Sequence, residues 1–289
     1  MPELPEVEIT ARRLSEAVAG AVVESTLAPG INALKTFDPP LHALDGQRLE
    51  GVRRIGKHLV IDVEGDLHVL VHLMSVGRLQ LYDKRASLRD RTSRLLIRLA
   101  PAGDGEPERE LRLREFGTKQ AAWVKVLRGE EAVRADDAIA TLGPEAWPEP
   151  PEDLAAVLKA PRPLHSLLRD QRTITGIGRS WVDEILWTAK LSPFKRGDDL
   201  SLEEATTLRT AIRDVLDGAI QHYEEVVHLP IPDKLPLPLQ VHRKAGEPCP
   251  RCGTTIEAVH YEDYVMCYCP QEQTGGKVLK DRRLSRLLK

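Results

Sequence analysis

Residues 1–8 are MPELPEVE, and this octet is the most informative stretch of the chain. Because residue 2 is a small proline, we expect Met1 to be removed. Pro2 would then carry a secondary α-amine, which titrates near neutrality and is partly nucleophilic at physiological pH. The alternative is structural, with Pro5 opening a helix that has acidic side chains in its first turn. The octet alone favours the helix start, because such sequences are common at helix N-termini.

Outward from the octet, residues 5–20 (PEVEITARRLSEAVAG) have the pattern of an amphipathic helix. Val7, Leu14 and Val18 fall on one helical stripe, and Gly20 is expected to end the helix. From about 47 to 127 the pattern changes to strands, with LVIDV and LHVLVHL separated by a turn at 64–66, and RLLIRL and AAWVKV farther on. Residues 101–110 (PAGDGEPERE) have the composition of a loop.

The remainder of the chain is helical and then rich in cysteine. LGPEAWPEPPED (142–153) contains four prolines and is predicted to be an interdomain linker. Helical segments are expected near 153–159, near 163–170, over RSWVDEILWTAK, and after the capping box formed by Ser201 and Glu204. HLPIPDKLPLPLQ (228–240) is predicted to be an extended connector, and the last thirteen residues include six basic ones.

Composition sets broad limits on the protein class. The 289 residues are 42% hydrophobic and 29% charged, as in ordinary globular proteins with one large or two ordinary domains. No apolar run approaches the roughly 20 residues that span a bilayer, and no N-terminal signal segment is evident, so a cytoplasmic protein is expected. A net charge of −3 argues mildly against nucleic acid, although a local groove can still be basic.

Four cysteines fall between residues 249 and 269, which indicates a local metal site rather than a disulfide framework. Cys249 and Cys252 have the spacing of a zinc knuckle, and Cys269 lies where a second knuckle would begin. The residue three positions later is Glu272 and not cysteine, so either Glu272 or Cys267 is the candidate fourth ligand of Zn²⁺. A finger that folds without metal is the alternative.

A glycine-rich turn precedes one of the predicted helices. Gly176-Ile-Gly178 leads into a helix near Arg179, and such a turn can present backbone N–H groups to a phosphate. Glycine turns between helices are also common in purely structural hairpins.

Six stretches follow one another along the chain: MPELPEVE, RRIGKHL, LREFG, LGPE, DQ…GIG…DEIL and HRKAGEPCPRCG. Together they resemble the formamidopyrimidine-DNA glycosylase / endonuclease VIII family of base-excision repair enzymes. The resemblance spans essentially the whole chain, is most specific in the octet, and leans toward the formamidopyrimidine (8-oxoguanine) branch. It implies an α+β multidomain fold with an N-terminal β-sandwich flanked by helices, a helix-two-turn-helix domain and a C-terminal zinc-ribbon-like β-hairpin. The expected boundaries are 1–135, 150–230, 240–275 and a basic tail over 276–289.

The resemblance also implies a role for the octet. Pro2 would attack C1′ of the damaged nucleotide and form a Schiff base, Glu3 would be the acid/base, and Lys57 would contact phosphate or the reacting sugar. Glu6 lies one helical turn from Glu3 and is expected to hold the helix start at the DNA-binding site. A solvated hairpin lysine is the structural alternative for Lys57.

Further residues are implied to bind DNA. His72 matches a phosphate-contacting histidine, with a satisfied strand-end histidine as its alternative. An enzyme that extrudes a base must fill the vacated space, so Arg114 would contact the orphaned base and Phe116 would insert as a wedge unless it is ordinary core. The remaining DNA-binding candidates are Met74, Gly178, Arg179 and Tyr264.

Four features depart from the family pattern. Met74 is displaced by one position, which in a strand would reverse its facing. Arg179 replaces a phosphate-binding asparagine, and Tyr264 stands where the family has a DNA-clamping arginine. The loop that caps 8-oxoguanine is replaced by HYEEVVHLPIPDKLP.

We therefore expect a DNA repair glycosylase with AP lyase activity that acts through a Schiff base on Pro2 and β/δ-elimination. It is expected to be a cytoplasmic, nucleoid-associated monomer that binds double-stranded DNA containing a damaged base or abasic site, with lyase chemistry favoured over 8-oxoguanine excision. A binding-only or lyase-only paralogue is the main alternative, and a zinc-ribbon interaction protein is a third.

Overall fold

The computed structural model describes residues 2–87, 89–101, 103, 107–116, 120–261 and 264–279. The chain divides into two compact units. The first comprises residues up to Thr141 together with Tyr223–Pro236, and the second comprises Leu142–His222 together with residues from Leu237 onward. No helix in these ranges is long and apolar enough to cross a bilayer.

The first unit is built from two four-stranded antiparallel sheets, with strand orders β1-β6-β7-β5 and β2-β3-β4-β8. Its elements are α1 (Leu4–Val18), β1 (Val23–Leu27), β2 (Leu49–Ile55), β3 (His58–Val63), β4 (Leu67–His72), β5 (Gly77–Tyr82), β6 (Ser93–Leu99), β7 (Glu110–Glu115), β8 (Trp123–Arg128), α2 (Glu130–Ala135) and α3 (Asp137–Ala140).

Strands β3 and β4 are almost continuously apolar because both of their faces are covered. Val60 and Leu70 are paired across the two strands and pack with Val133 of α2. Side chains on the opposite face, such as Leu59 and Ile61, are also fully buried. A half-exposed strand would alternate polar and apolar residues, so the nearly continuous apolar pattern of LVIDV and LHVLVHL is explained by burial on both sides.

Helix α1 confirms the stripe predicted from its sequence. Val7, Leu14 and Val18 are fully buried, and Gly20 adopts φ +84° just beyond the end of the helix. The helix lies against β2, where the Val52 backbone N–H donates to the Ser15 hydroxyl oxygen at 3.1 Å. Strand β1, between the helix and the predicted β region, was not predicted.

The second unit contains α4 (Leu154–Val157), α5 (Leu164–Arg169), α6 (Arg179–Thr188), the part of α7 (Leu202–Val226) up to His222, the hairpin strands β9 (Glu257–His260) and β10 (Val265–Tyr268), and α8 (Pro270–Thr274). The predicted capping box at α7 is confirmed, since Ser201 N–H donates to Glu204 Oε2 at 2.9 Å and Glu204 N–H donates to Ser201 Oγ at 3.2 Å. The predicted fold class is confirmed: two N-terminal sheets, a helical region and a C-terminal hairpin with clustered cysteines.

The proline-rich segment over 142–153 is not a free linker, which corrects the sequence interpretation. Thr175 N–H donates to the Pro144 carbonyl at 2.8 Å, and the Trp147 indole N–H donates to Asp217 at 2.5 Å. Prolines prevent helix formation but leave their carbonyls available as acceptors, so the segment packs in extended form inside the second unit.

Candidate active site

Residues at the start of the chain are held by a reciprocal pair of hydrogen bonds. Glu3 is the N-cap of α1, and its carboxylate accepts the Glu6 backbone N–H. In return, the Glu3 backbone N–H donates to Glu6 Oε2 at 2.7 Å. This N–H belongs to the peptide that directly follows Pro2, which itself is half-buried. The helix-start interpretation of the octet is therefore correct, and the same geometry orients the residue that would carry the amine.

Glu6 is in turn held by a tyrosine that the sequence analysis did not single out. The Tyr223 hydroxyl donates to Glu6 Oε1 at 2.8 Å, and the Tyr223 side chain is fully buried. Burial and the neighbouring Glu6 carboxylate raise the pKa of Tyr223, so the phenol stays protonated and remains a donor. Both oxygens of Glu6 are thus engaged, which supports its predicted role in holding the helix start.

Lys57 lies in the two-residue turn between β2 and β3, where Gly56 adopts φ +57°. The turn is tied to α1 through one arginine. Arg54 Nε donates to Glu8 at 2.9 Å, and Arg54 also donates to the Gly56 carbonyl at 3.0 Å. Lys57 is half-buried, so the alternative of a fully solvated hairpin lysine is disfavoured.

His72 lies at the end of β4, close enough to Lys57 for the two to interact electrostatically. Burial and the Lys57 charge lower the pKa of His72 to about 4. His72 Nδ1 accepts the Met74 backbone N–H at 3.2 Å, so the neutral imidazole carries its proton on Nε2. The ring stacks on Trp123 at 5.6 Å and contacts His58 at 4.5 Å between centroids. His72 can therefore act as a neutral hydrogen-bond donor.

Met74 is in a turn with φ +50° and not in a strand, because β4 ends at His72 and β5 begins at Gly77. The expectation that a one-residue displacement reverses its facing was based on strand geometry and does not apply here.

Arg114 and Phe116 are brought together at the end of β7. The Arg114 guanidinium lies 4.5 Å from the centroid of the Phe116 ring and donates to the Tyr82 hydroxyl at 2.7 Å and to Thr92 Oγ1 at 3.1 Å. Both side chains are half-buried, so Phe116 is not ordinary core.

In the second unit, the turn between α5 and α6 is organised by Gln171. Its amide donates to the Ile177 carbonyl at 2.8 Å and accepts the Gly176 N–H at 3.0 Å. Gly176 adopts φ +104°, a conformation that favours glycine, and Gly178 is the N-cap of α6. Arg179 is the first residue of α6, and its guanidinium lies 5.4 Å from the centroid of the Tyr264 ring.

Three of the candidate zinc ligands form a cluster. The sulfur atoms of Cys249, Cys252 and Cys269 lie within 4.8 Å of one another, and the last two are 3.4 Å apart. Thiolates around one tetrahedral Zn²⁺, each about 2.3 Å from the ion, are spaced about 3.8 Å apart, so the cluster fits this metal. Although burial opposes ionisation, N–H donors from the Cys252 and Arg251 backbone lower the pKa of Cys249.

Neither candidate for the fourth ligand belongs to this cluster. Glu272 forms ion pairs with Arg251 and Lys190, both at 3.5 Å, and Cys267 is buried with its backbone N–H donating to Asp183 at 3.0 Å. A bound Zn²⁺ would cross-link the two ends of the ribbon through three thiolates, and the choice of fourth ligand remains a prediction.

Two acidic residues of α6 that carry no predicted role connect this helix to the ribbon. The Glu184 carboxylate accepts the backbone N–H groups of residues 240–242 at 2.8–3.0 Å, and burial raises its pKa. Asp183 accepts from His242 Nδ1 at 2.7 Å. The sequence pattern of an amphipathic helix does not predict these contacts, because the partners are distant in sequence. Of the basic tail, residues from 280 onward lie outside the described ranges.

Comparison with known proteins supports one family. A model of the formamidopyrimidine-DNA glycosylase N-terminal domain matches residues 1–119, and a model of the H2TH domain of the same enzyme matches residues 142–229. The chain is 31% identical to an Enterococcus faecalis formamidopyrimidine-DNA glycosylase over 97% of its own length and 100% of the relative. It is 40% identical to an uncharacterized formamidopyrimidine-DNA glycosylase-like protein of Mycobacterium tuberculosis, over 51% of this chain and 94% of that protein.

Among solved structures, the fold is similar to Lactococcus lactis Fpg in complex with DNA that contains an abasic site. The TM-score is 0.82 at 25% identity, covering 94% of this chain and 100% of the other. The sequence matches and the shared fold together show that this chain is a divergent member of the formamidopyrimidine-DNA glycosylase family.

Proposed function

We propose that the protein is a DNA lyase of this family that uses the α-amine of Pro2 to open abasic or damaged nucleotides in double-stranded DNA, acting as a monomer. The observation that carries the proposal is the paired hydrogen bonding of Glu3 and Glu6, which fixes the peptide that directly follows Pro2. Family membership supports the same reaction class.

The chemistry follows from a secondary amine. The Pro2 nitrogen lone pair attacks C1′, and the base, or the hydroxyl of an abasic sugar, leaves. Glu3 takes the proton that the attacking nitrogen releases and passes it to the ring oxygen, so the C1′–O4′ bond breaks, the sugar opens and an iminium without an N–H forms. The iminium accepts the electron pair released when a C2′ proton is removed, so the C3′–O bond breaks. A second elimination breaks the C5′–O bond.

The surrounding residues have supporting roles in this proposal. Lys57 and the Nε2–H of His72 bind phosphate or the reacting sugar, and Arg114 with Phe116 occupies the space left by an extruded nucleotide. In the second unit, Gly178, Arg179 and Tyr264 contribute to binding the DNA backbone, and the cysteine cluster holds the ribbon. We retain the boundaries 1–135, 150–230, 240–275 and 276–289 for these parts as part of the proposal.

An abasic nucleotide is the favoured substrate over 8-oxoguanine. The segment that replaces the lesion-capping loop begins at His222 and is helical through Val226. Within this segment, the Tyr223 hydroxyl already donates a hydrogen bond to Glu6, so the Tyr223 side chain is not available to cap a base. The altered ribbon, with Glu272 paired to basic residues, keeps a binding-only paralogue as the second candidate.

Borohydride trapping on an abasic duplex tests the proposal. We expect a covalent protein–DNA adduct that peptide mapping places on residue 2, because borohydride reduces the iminium to a stable amine. Retaining Met1 through an N-terminal tag should abolish trapping, whereas a C-terminal tag is the matched control. Glu3→Gln should still bind DNA but cleave the strand more slowly. A protein with a processed N-terminus that binds abasic DNA yet neither traps nor nicks it would refute the lyase and favour the binding-only paralogue.

A further inference from the structure

Polar side chains on one face of β5 connect two distant parts of the first unit. Strand β5 is at the edge of its sheet, and Gln80 and Tyr82 share a face because side chains alternate along a strand. The Arg114 guanidinium donates to the Tyr82 hydroxyl at 2.7 Å, and this hydroxyl donates to Gln80 Oε1 at 2.7 Å. Gln80 Nε2 in turn donates to the Ile231 carbonyl at 2.6 Å. We call Arg114, Tyr82, Gln80 and Ile231 the Gln80 network.

The direction of each hydrogen bond in the Gln80 network is fixed by what its groups can donate. A guanidinium only donates, so the Tyr82 oxygen accepts from Arg114 and gives its own proton to Gln80. The Ile231 carbonyl only accepts, so Gln80 presents its amide N–H there and its oxygen to Tyr82. Gln80 is 5% exposed, so a reversed amide would set two acceptors against each other away from water. One arrangement therefore satisfies the whole network.

The Gln80 network joins two regions that have different proposed roles. Arg114 would contact the orphaned base, and Ile231 lies in the 222–236 segment that stands in place of the lesion-capping loop. Gln80 Nε2 also donates to an Asp233 carboxylate oxygen of the same segment at 3.2 Å. One amide therefore holds the segment on one side and, through a tyrosine hydroxyl, the arginine on the other.

We propose that Gln80 is a positioning residue that couples the contact between Arg114 and the orphaned base to the 222–236 segment. Hydrogen bonds in a network shielded from water strengthen one another, which is the physical basis of the coupling. The base opposite an abasic site then affects how firmly the extruded nucleotide is held beside the segment, and the effect is reciprocal. The inference deepens the proposed function and rests on it, since DNA with an extruded nucleotide is the ligand.

Two substitutions break the Gln80 network at different bonds. At pH 8, where the new carboxylate is ionised, Gln80→Glu still accepts the Tyr82 proton but has no donor for the Ile231 carbonyl. Tyr82→Phe leaves the bond between Gln80 and Ile231 in place and removes the acceptor for Arg114. Gln47→Glu adds the same charge in the loop before β2, outside the network, and is the matched control.

Fluorescence anisotropy tests the coupling without requiring catalysis. The duplexes carry a tetrahydrofuran abasic analogue opposite C, G, A or T, and the highest affinity divided by the lowest is the opposing-base ratio. The loss of one uncharged hydrogen bond changes an equilibrium about twofold to tenfold. We expect Gln80→Glu and Tyr82→Phe each to lower the ratio by about this factor, and Gln47→Glu to leave it unchanged. In an Arg114→Gln protein, Gln80→Glu should lower the ratio no further, because the coupled contact is already lost.

Trypsin cleavage after the exposed Lys234 reports on the segment itself. Arg78 Nε donates to the Asp233 carbonyl at 2.7 Å, and neither variant removes this bond, so the comparison isolates the contribution of Gln80. Gln80→Glu should be cut faster than the unchanged protein, and Tyr82→Phe should be cut at the unchanged rate. A Gln80→Glu protein that is cut faster but keeps the unchanged opposing-base ratio would have lost only a structural contact, and the proposal would be overturned.

A second measurement covers the case in which Gln80→Glu fails to fold by circular dichroism. With saturating duplex, the protection of Lys234 from trypsin should differ between opposing bases in the unchanged protein, and Tyr82→Phe should abolish the difference. Equal protection by all four duplexes would overturn the coupling.

The two proposals fail in different ways. If borohydride traps no adduct but Gln80→Glu lowers the opposing-base ratio, the lyase is refuted and the coupling stands. If the protein is trapped while Gln80→Glu keeps the ratio, only the coupling is lost. An unchanged protein that binds none of the four duplexes, or all four with equal affinity, also refutes the coupling.

Discussion

Tyr223→Phe removes one hydroxyl group and leaves the volume of the buried ring almost unchanged. The hydroxyl donates to Glu6 Oε1 at 2.8 Å, and the Tyr223 side chain is fully buried while Glu6 is 8% exposed. A hydrogen bond to a charged group contributes about 1.5–3 kcal/mol, and its loss leaves a buried carboxylate oxygen without that donor. We therefore expect the free energy of unfolding of the first unit to fall by about 2 kcal/mol.

The matched control is a second fully buried tyrosine with a neutral partner. The Tyr268 hydroxyl oxygen accepts the Leu279 backbone N–H at 2.7 Å, so Tyr268→Phe should cost only about 1 kcal/mol, as is typical of neutral hydrogen bonds. Urea unfolding of both variants gives the comparison. If Tyr223→Phe destabilises the protein no more than Tyr268→Phe, the carboxylate bridge is not a major stabilising contact.

The same substitution has an expected effect on chemistry. Glu6 Oε2 holds the N–H of the peptide after Pro2, so a Glu6 released by Tyr223→Phe orients that peptide less well. A misplaced reacting group costs rate more than affinity. We expect the borohydride-trapping rate to fall about tenfold while the affinity for the tetrahydrofuran duplex stays unchanged. An equal loss of rate and affinity would contradict the orienting role.

Three further predictions concern the ribbon, the histidines and the wedge. Glu272→Cys should slow the loss of zinc to a chelator, because a fourth thiolate replaces a carboxylate that is paired with basic residues. A release rate equal to that of the unchanged protein would argue against position 272 as a ligand. Burial and His72 lower the pKa of His58 to about 3, and burial and Lys57 lower the pKa of His72 to about 4. The unfolded chain takes up these protons below about pH 6.5 and the folded chain does not, so stability should fall between about pH 6.5 and pH 4, by about 2 kcal/mol per histidine at pH 5. In His58→Gln and His72→Gln, the urea midpoint of unfolding should vary less with pH across that range. A pH dependence equal to that of the unchanged protein would contradict the assignment. Arg114→Gln should reduce discrimination between opposing bases in anisotropy assays, whereas Arg179→Gln should weaken binding to all duplexes alike; equal losses of both kinds from both variants would contradict these roles.

Local sequence signals accounted for most of the secondary structure. The stripe of α1, the hairpin turn between β3 and β4, with Gly65 at φ +79°, and the capping box at Ser201 all depend on residues close together in the chain. Strand β1 was missed because its burial pattern does not alternate cleanly, and the 142–153 segment was misjudged because its hydrogen-bond partners lie near residue 175 and at Asp217.

The sequence by itself determined the order of the motifs, and with it the fold class, the candidate nucleophile and the three clustered cysteines. Only the tertiary structure decided which side chains meet: Tyr223 with Glu6, Lys57 with His72, and two arginines with Tyr264. These interactions join residues that are 15 to 217 positions apart in the chain. The physical reason is that side-chain hydrogen bonds, charge interactions and ring stacking depend on distances of a few ångströms in space, and sequence patterns report only on neighbours along the chain.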